Sequence, residues 1–437
     1  MTANSNRRHR LTNGAETSNQ MGIDAIKSIM SRRGFLSAAG GAALTNMAGC
    51  LSASGDEDDV ITLGNLSAQS GNAALTGIEK NRATRMAVDE INENGGIMGQ
   101  EVELLTPDPQ SDIQRFQELT RELIQEKQVD ALWAGIRSST REAIRPVTND
   151  QEQLYFYTNQ YEGGVCDNYC FPVGATSKQK LEALVPYLIN EYGGDIYTVA
   201  ADYVFGQVCA EWTERIAEEN GGQVVNEEFL PLSTSQFGST INRIQKADPD
   251  FMMGILVGQN LNTFYDVRAS SNLDIPVGTT TTLTQAYEHI RYEPPAVQDV
   301  YAATNFMEEL GRDDERAAEF VEQYHDTYPE AEYMNENAQN NYWSVYLYKQ
   351  AVEEAGTTDQ EAVIDVLEQG IDISAPEGDL SMHGPTHHLS HNIAVAHADE
   401  NHDIEFISRD IVEPEYLQSV GCDLTQNEES ELYIPGE

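Results

Sequence analysis

From Val60 onward, short apolar runs of strand length alternate with segments that carry apolar residues at helical spacing. That alternation limits the chain to one class of fold. Val60–Leu66, Val102–Thr106, Val129–Ala134 and Leu154–Tyr157 read as strands. After a Ser/Gly/Asn loop over Ser67–Gly77, Arg82–Asn92 puts Ala83, Met86, Ala87 and Ile91 on one helical face and stops at Gly95-Gly96. Asp112–Lys127 turns Ile113, Phe116, Leu119, Leu123 and Ile124 inward in the same way. Strand, helix, strand in repetition requires right-handed crossovers and a mainly parallel sheet.

A second series starts near Thr176. Helical spacing over Lys178–Tyr192, Gly206–Asn220, Thr240–Ala247 and Leu261–Ser270 is interleaved with strand-like Ile196–Ala201, Gln223–Phe229, Phe251–Val257 and Ile275–Gly278. The chain then changes character: Val300–Thr304 is strand-like, and long helices follow over Asp313–Tyr328, Asn335–Ala355 and Asp359–Gln369. Short β-like pieces run on to Ile411. The expected fold is α/β with two lobes, each a mainly parallel sheet flanked by helices, and a ligand cleft between them. The expected organisation is a leader over 1–50 and a tether over 51–59, then a first lobe from 60–174 and a second from 175–297. A return to the first lobe over 298–370, completion of the second over 371–411 and a tail over 412–437 finish the chain.

Ligands of open α/β sheets bind at the carboxyl ends of strands, so the loops after the strands carry the functional reading. Ser138 follows the strand Val129–Ala134. Ser139-Thr140-Arg141-Glu142 reads as a capping box that starts a helix, with Ser139 as its cap. A helix N-terminus there offers N–H groups to a carboxylate or carbonyl oxygen. Tyr157, Asn159 and Tyr161 alternate after the next strand and would share one face, with phenols and an amide suited to a small neutral polar ligand. Asp202, Tyr203 and Phe205 occupy the matching position in the second lobe. Gly258-Gln259-Asn260 and Thr279–Thr284 end later strands of that lobe and are weaker candidates of the same kind.

Composition excludes some classes. The 437 residues include 26 Lys+Arg against 72 Asp+Glu, a formal net charge of −46 spread along the chain. Such a surface suits a high-salt medium and opposes nucleic-acid binding, which needs a basic patch. Near the start, Ser31-Arg32-Arg33-Gly34-Phe35-Leu36 is a twin-arginine pattern followed by an apolar run too short to span a bilayer, ending in Met47-Ala48-Gly49-Cys50. This is an export signal, and its last four residues resemble a lipoprotein cleavage box with Cys50 acylated. Leu51–Asp59 is an acidic tether. The mature chain is then expected outside the cytoplasm, on the outer face of the membrane through a lipid.

Outside the cell, Cys166, Cys170, Cys209 and Cys422 can pair in three ways. The reading preferred here joins Cys166 to Cys170 and Cys209 to Cys422, with a zinc site as a weak alternative. Six histidines, His383, His387, His388, His391, His397 and His402, fall in one short stretch. Without cysteines or a regular helical spacing they read as structural or surface groups, so no metal and no cofactor is assigned. Hydrolase, nucleotide and metalloprotease motifs are absent: no Gly-x-Ser-x-Gly, Walker A, Gly-x-Gly-x-x-Gly or His-Glu-x-x-His occurs. No catalytic residue is assigned, although hydrolysis of a polar amide remains the runner-up class.

With its lipobox, tether and first strand, Ala87–Gly99 (AVDEINENGGIMG) resembles the type I periplasmic solute-binding proteins of ABC importers, which include branched-chain amino acid binders. Tyr157–Gly163 (YTNQYEG), Asp202-Tyr203 and Thr386-His387-His388-Leu389 look like the urea and short-chain amide branch. The resemblance covers roughly residues 60 to 411. It implies a type I periplasmic-binding-protein fold, membrane permease subunits as partners, and Ser138, Tyr157, Asn159 and Tyr203 as ligand contacts. Thr158 and Gly206 stand where that branch has proline, Asn159 stands where threonine or valine is common, and Thr284–Tyr287 lacks the acidic residues often found there. Urea or a short-chain amide is the first ligand expected and a branched-chain amino acid the second. An amide sensor is a further alternative.

Overall fold

The computed structural model describes residues 60–426 except positions 272, 415 and 420. The twin-arginine segment, Cys50 and the acidic tether lie outside the described residues.

The first lobe is built from β1 (Ile61–Leu66), α1 (Ala74–Glu93), β2 (Val102–Leu105), α2 (Ile113–Arg121), β3 (Ala131–Ala134), α3 (Ser138–Asp150), β4 (Tyr155–Tyr157) and β5 (Cys170–Pro172). Its five strands are all parallel in the order β2-β1-β3-β4-β5. Alternate side chains of β3 face opposite layers, as strand geometry requires. Ala131 and Trp133 pack with Ala87 and Ile91 of α1, whereas Leu132 and Ala134 pack with Phe116 and Leu119 of α2.

α1 begins eight residues before the expected Arg82, at Ala74. The inward face of those extra turns carries Glu79, Lys80 and Asn81, all buried. Polar residues on the packed face removed the apolar signal from the sequence.

The second lobe follows with α4 (Ser177–Tyr192), β6 (Asp195–Ala201), α5 (Val204–Glu219), β7 (Gln223–Leu230), α6 (Gly238–Ala247), β8 (Phe251–Ile255), α7 (Gln259–Ser270), β9 (Val277–Thr279), α8 (Glu288–Arg291) and β10 (Val300–Thr304). The chain then runs through α9 (Glu315–Thr327), α10 (Glu336–Ala355) and α11 (Gln360–Glu368). β11 (Asp372–Ala375), β12 (Gly378–His383), β13 (His388–Leu389), β14 (His391–Ala398), β15 (Ile404–Val412) and α12 (Tyr416–Ser419) complete it. The second sheet is mixed, in the order β15-β14-β10-β9-β8-β6-β7, with β14 antiparallel to both its neighbours and every other strand running the same way.

Two expected boundaries are corrected. β10, read as the start of the return to the first lobe, pairs with β9 and β14 inside the second sheet. The stretch 371–411, read as completing the second lobe, divides. β11–β13 form a small antiparallel sheet whose Ile373, Leu380 and Leu389 join Trp343 and Tyr348 in the first-lobe core, and β14–β15 alone extend the second sheet. Apolar periodicity identifies a strand but carries no information about which sheet accepts it.

The expected disulfides are also corrected. Cys166 bonds Cys422, with Cα atoms 5.8 Å apart, while Cys170 and Cys209 are buried free thiols. Burial pushes both thiols well up. Cys170 is fixed in β5 within the core that holds Tyr155 and Ile144, and Cys209 on α5 lies 2.8 Å from the Ser177 hydroxyl, so neither faces the partner that sequence proximity suggested. Among the described residues no helix is long and apolar enough to cross a membrane.

Candidate functional site

A cavity of about 220 Å³ opens between the lobes. The first residues of four helices line it: Asn72 and Ala73 before α1, Arg137 and Ser138 at α3, Tyr203 at α5 and Gly258 at α7. Helix N-termini carry partial positive charge and N–H groups without acceptors inside the helix, so their convergence favours ligand oxygen.

The β3–α3 turn shows how the chain builds this wall. Gly135 has φ +92°, and a Cβ there would meet the Tyr155 hydroxyl, Tyr157 and Thr140 at 3.2–3.3 Å, so glycine is needed. α3 begins at Ser138, one residue before the expected cap. Its capping group is the Thr140 hydroxyl, which accepts from Ile136 N at 2.9 Å and Arg137 N at 3.0 Å. Ser139, the expected cap, is exposed and off the cavity wall. Glu142 pairs with Arg141 and Arg145 and does not reach back to the helix start.

Ser138 lines the cavity and donates its hydroxyl to Glu162 Oε2 at 2.6 Å. Its oxygen is thereby left to accept. Arg141 holds the other Glu162 oxygen and stacks over the Tyr157 and Tyr161 rings, 5.2 and 4.8 Å from their centroids. Tyr157, Asn159, Tyr203 and Phe205 also line the cavity. Burial pushes the Tyr157 and Tyr203 phenols well up, which keeps both neutral, and neither hydroxyl is used within the described chain. Asn159 Oδ1 is taken by the buried Lys80 ammonium, leaving Nδ2 for the cavity.

Besides Ser139, two expected residues lie off the wall. The Tyr161 hydroxyl is committed to His388 Nε2, whose Nδ1 faces the Thr386 carbonyl; burial holds this imidazole at about 3 and hence neutral. Asp202 is exposed and accepts from Gln207 Nε2 at 3.2 Å. Among the weaker candidates, Gly258 and Thr281 reach the wall, while Asn260 caps Val257 N at 2.9 Å.

Sequence reading missed Gln160, Glu288, Arg137 and Arg291, all on the wall. Gln160 bridges the lobes through Nε2 to the Thr280 carbonyl at 2.6 Å, and its Oε1 has no partner. Glu288 accepts from Leu283 N at 2.7 Å through Oε2, leaves Oε1 unpartnered, and has its carboxyl raised by burial. Gln160 was legible as a member of the polar loop after β4; nothing in the sequence marked Glu288 among the chain's many acids.

The clustered histidines disperse to separate partners, among them Glu368 for His387 at 3.0 Å, Glu377 for His391 at 3.1 Å and Val297 N for His402 at 3.1 Å. Among the described residues no group of three or more His, Cys, Asp or Glu is placed to hold a metal.

Comparison with known proteins agrees with this architecture. Residues 60–403 match the family model described as periplasmic binding protein. A Brucella melitensis protein named Leu/Ile/Val-binding protein homolog 7 is 26% identical over 219 residues, 47% of this chain; the chain spans about half, 54%, of that relative's length. A solute-binding protein of an ABC transporter from Rhodopseudomonas palustris, solved with 3,4-dihydroxybenzoic acid, superposes with a TM-score of 0.71 at 18% identity, over 82% of this chain and 99% of that one. LivJ of Streptococcus pneumoniae, solved with isoleucine, gives 0.70 at 17% identity, over 82% and 100%. At such identities the solved structures speak for the fold. The family model spans most of the chain, and the chain belongs to the periplasmic binding protein family.

Proposed function

We propose that this protein is the extracytoplasmic substrate-binding component of an ABC importer and that its cleft captures urea or a short-chain amide for membrane permease subunits. The observation that carries the ligand reading is the polarity of the polar atoms the cavity wall leaves unused. Asn159 Nδ2, the Tyr157 and Tyr203 hydroxyls and the start of α3 suit a carbonyl oxygen. A primary amide carries one acceptor and two N–H donors and needs no counter-charge. The cavity is also smaller than the roughly 300–1,000 Å³ of sites for drug-sized ligands. The twin-arginine segment and Met47–Cys50 support export and lipid attachment at Cys50.

A branched-chain amino acid is the second reading. Glu288 is the observation in its favour, as the partner for an ammonium group, with the helix N-termini for the carboxylate. Burial opposes it by favouring the neutral Glu288 carboxyl.

The test is a thermal-shift series on the mature protein at molar salt with urea, acetamide, formamide, leucine, isoleucine, glutamate and benzoate. A ligand that binds the folded state raises the midpoint as RT ln(1 + [L]/Kd). Shifts with urea or the amides alone support the proposal, and a shift with leucine or isoleucine alone replaces it with the second reading.

A further inference from the structure

Lys80 is buried to 1% exposure, yet no described carboxylate pairs with it. Its Nζ donates to the Gly135 carbonyl at 2.9 Å and to Asn159 Oδ1. The neighbouring acid, Glu79, is engaged elsewhere, by Arg82 and the Tyr324 hydroxyl. Burying an ammonium group among neutral acceptors is unfavourable, and it depresses the Lys80 pKa to about 7.

The two oxygens that Lys80 holds belong to the two loops that form the first-lobe wall. Gly135 opens the turn into α3 and Ser138, and Asn159 follows β4. A side-chain amide has an oxygen on one side and an NH₂ on the other, and rotation by half a turn exchanges them. Below about pH 7 Lys80 is an ammonium group, which donates and cannot accept, so it selects the orientation with Oδ1 inward and Nδ2 toward the cavity. Asn159 makes no other side-chain hydrogen bond that would select it.

We propose that Lys80 is a positioning residue that sets the hydrogen-bond polarity of the cleft, making Asn159 a donor and so requiring an acceptor oxygen on the ligand atom seated there. This inference rests on the cleft being the ligand site. It names the group recognised at Asn159, a carbonyl or carboxylate oxygen, and it holds for either ligand considered above.

The experiment is a double-mutant cycle of Lys80→Met and Asn159→Ala, read by calorimetric titration of acetamide and, in parallel, of leucine at molar salt. Each single variant is expected to weaken binding about tenfold, the scale of one lost charge-assisted hydrogen-bond relay. The double variant should bind no more weakly than the worse single one, because both act through the same amide. Losses that multiply would overturn the proposal. Lys80→Gln, whose amide can donate to Asn159 Oδ1, should recover part of the affinity; no recovery beyond Lys80→Met also counts against it. A ligand-free arm separates this inference from the identity of the ligand. The Asn159 side-chain NH₂ resonance, identified by its loss in Asn159→Ala, should move in Lys80→Met and stay in place when the buried Lys180 is changed to Met. An unmoved resonance refutes the positioning role, whereas binding of leucine in place of acetamide refutes only the amide reading.

Discussion

Arg141 and Glu162 form an ion pair wholly shielded from solvent, Nη2 to Oε1 at 2.6 Å, and the second Glu162 oxygen takes the Ser138 hydroxyl at the same distance. The pair therefore lies directly beneath the cleft wall and fixes which way the Ser138 oxygen points. Removing one member leaves a buried charge alone, which costs about 3–5 kcal/mol. Arg141→Met should lower unfolding free energy by that amount in chemical denaturation at molar salt. Glu162→Gln should cost less, since Arg141 keeps Glu142 at 2.8 Å and the new amide can still meet Ser138. Equal losses for the two variants would mean that Glu142 does not compensate the Arg141 charge.

The cleft phenols make no hydrogen bond within the described chain, so their hydroxyls can be removed without disturbing the fold. Tyr157→Phe and Tyr203→Phe are each expected to weaken ligand binding by about 0.5–1.5 kcal/mol, roughly two- to tenfold in Kd, with the thermal midpoint unchanged. Asp202→Ala, on an exposed side chain away from the wall, should leave the Kd as it was. Titration calorimetry on the three variants decides between this wall and one that includes the acid.

Glu79 gives the folded protein a measurable dependence on pH. Burial raises its carboxyl to about 7 against the pull of Arg82 at 3.0 Å. Between pH 4.5 and about 7 the folded chain holds a proton that the unfolded chain has released. Stability contributed by this group is thus present at low pH and lost as pH rises through that window, by up to about 3 kcal/mol. Lys80, depressed from 10.5 to about 7, acts in the opposite sense above neutrality, with stability recovering as pH climbs toward 10.5. In denaturant titrations, Glu79→Gln should flatten the acidic limb relative to the parent, and Lys80→Met the alkaline one.

The Cys166–Cys422 bond spans 256 positions of sequence. A loop that long restricts the unfolded chain strongly, and a variant with serine at both positions is expected to lose about 2–5 kcal/mol. Replacing Cys170 and Cys209 with alanine removes no disulfide and should leave resistance to reduction unchanged. Melting with and without reductant separates the two pairs.

With 72 acidic and 26 basic residues, self-repulsion opposes the compact state until salt screens it. The thermal midpoint should rise steadily between low and molar salt; an unchanged midpoint would remove the role assigned to screening.

Local pattern was enough to read the alternating architecture and the loops that line the cleft, because strand ends in an open sheet are where the chain turns toward ligand. Ser138, Tyr157, Asn159, Tyr203 and Phe205 reach the cavity wall for that reason. What escaped depends on contacts between distant segments. Glu288 is one acid among many until the fold leaves its Oε1 buried without a partner. Nothing in the sequence marked Lys80, which α1 turns inward. Cysteine pairing followed nearness in space, with α12 and Leu417 carrying Cys422 to Cys166, and not nearness in sequence. The destination of β10 was settled by its neighbours β9 and β14.

The Cys166–Cys422 bond has one more outcome. It turns residues 166–422 into a covalent ring that contains every strand of the seven-stranded sheet. A protease that cuts once inside the ring opens it but frees no fragment, so the nicked chain runs as one species until thiol is added. Shedding any part of the second lobe takes two cuts, or one cut and a reductant, and in an oxidising medium the reductant is scarce.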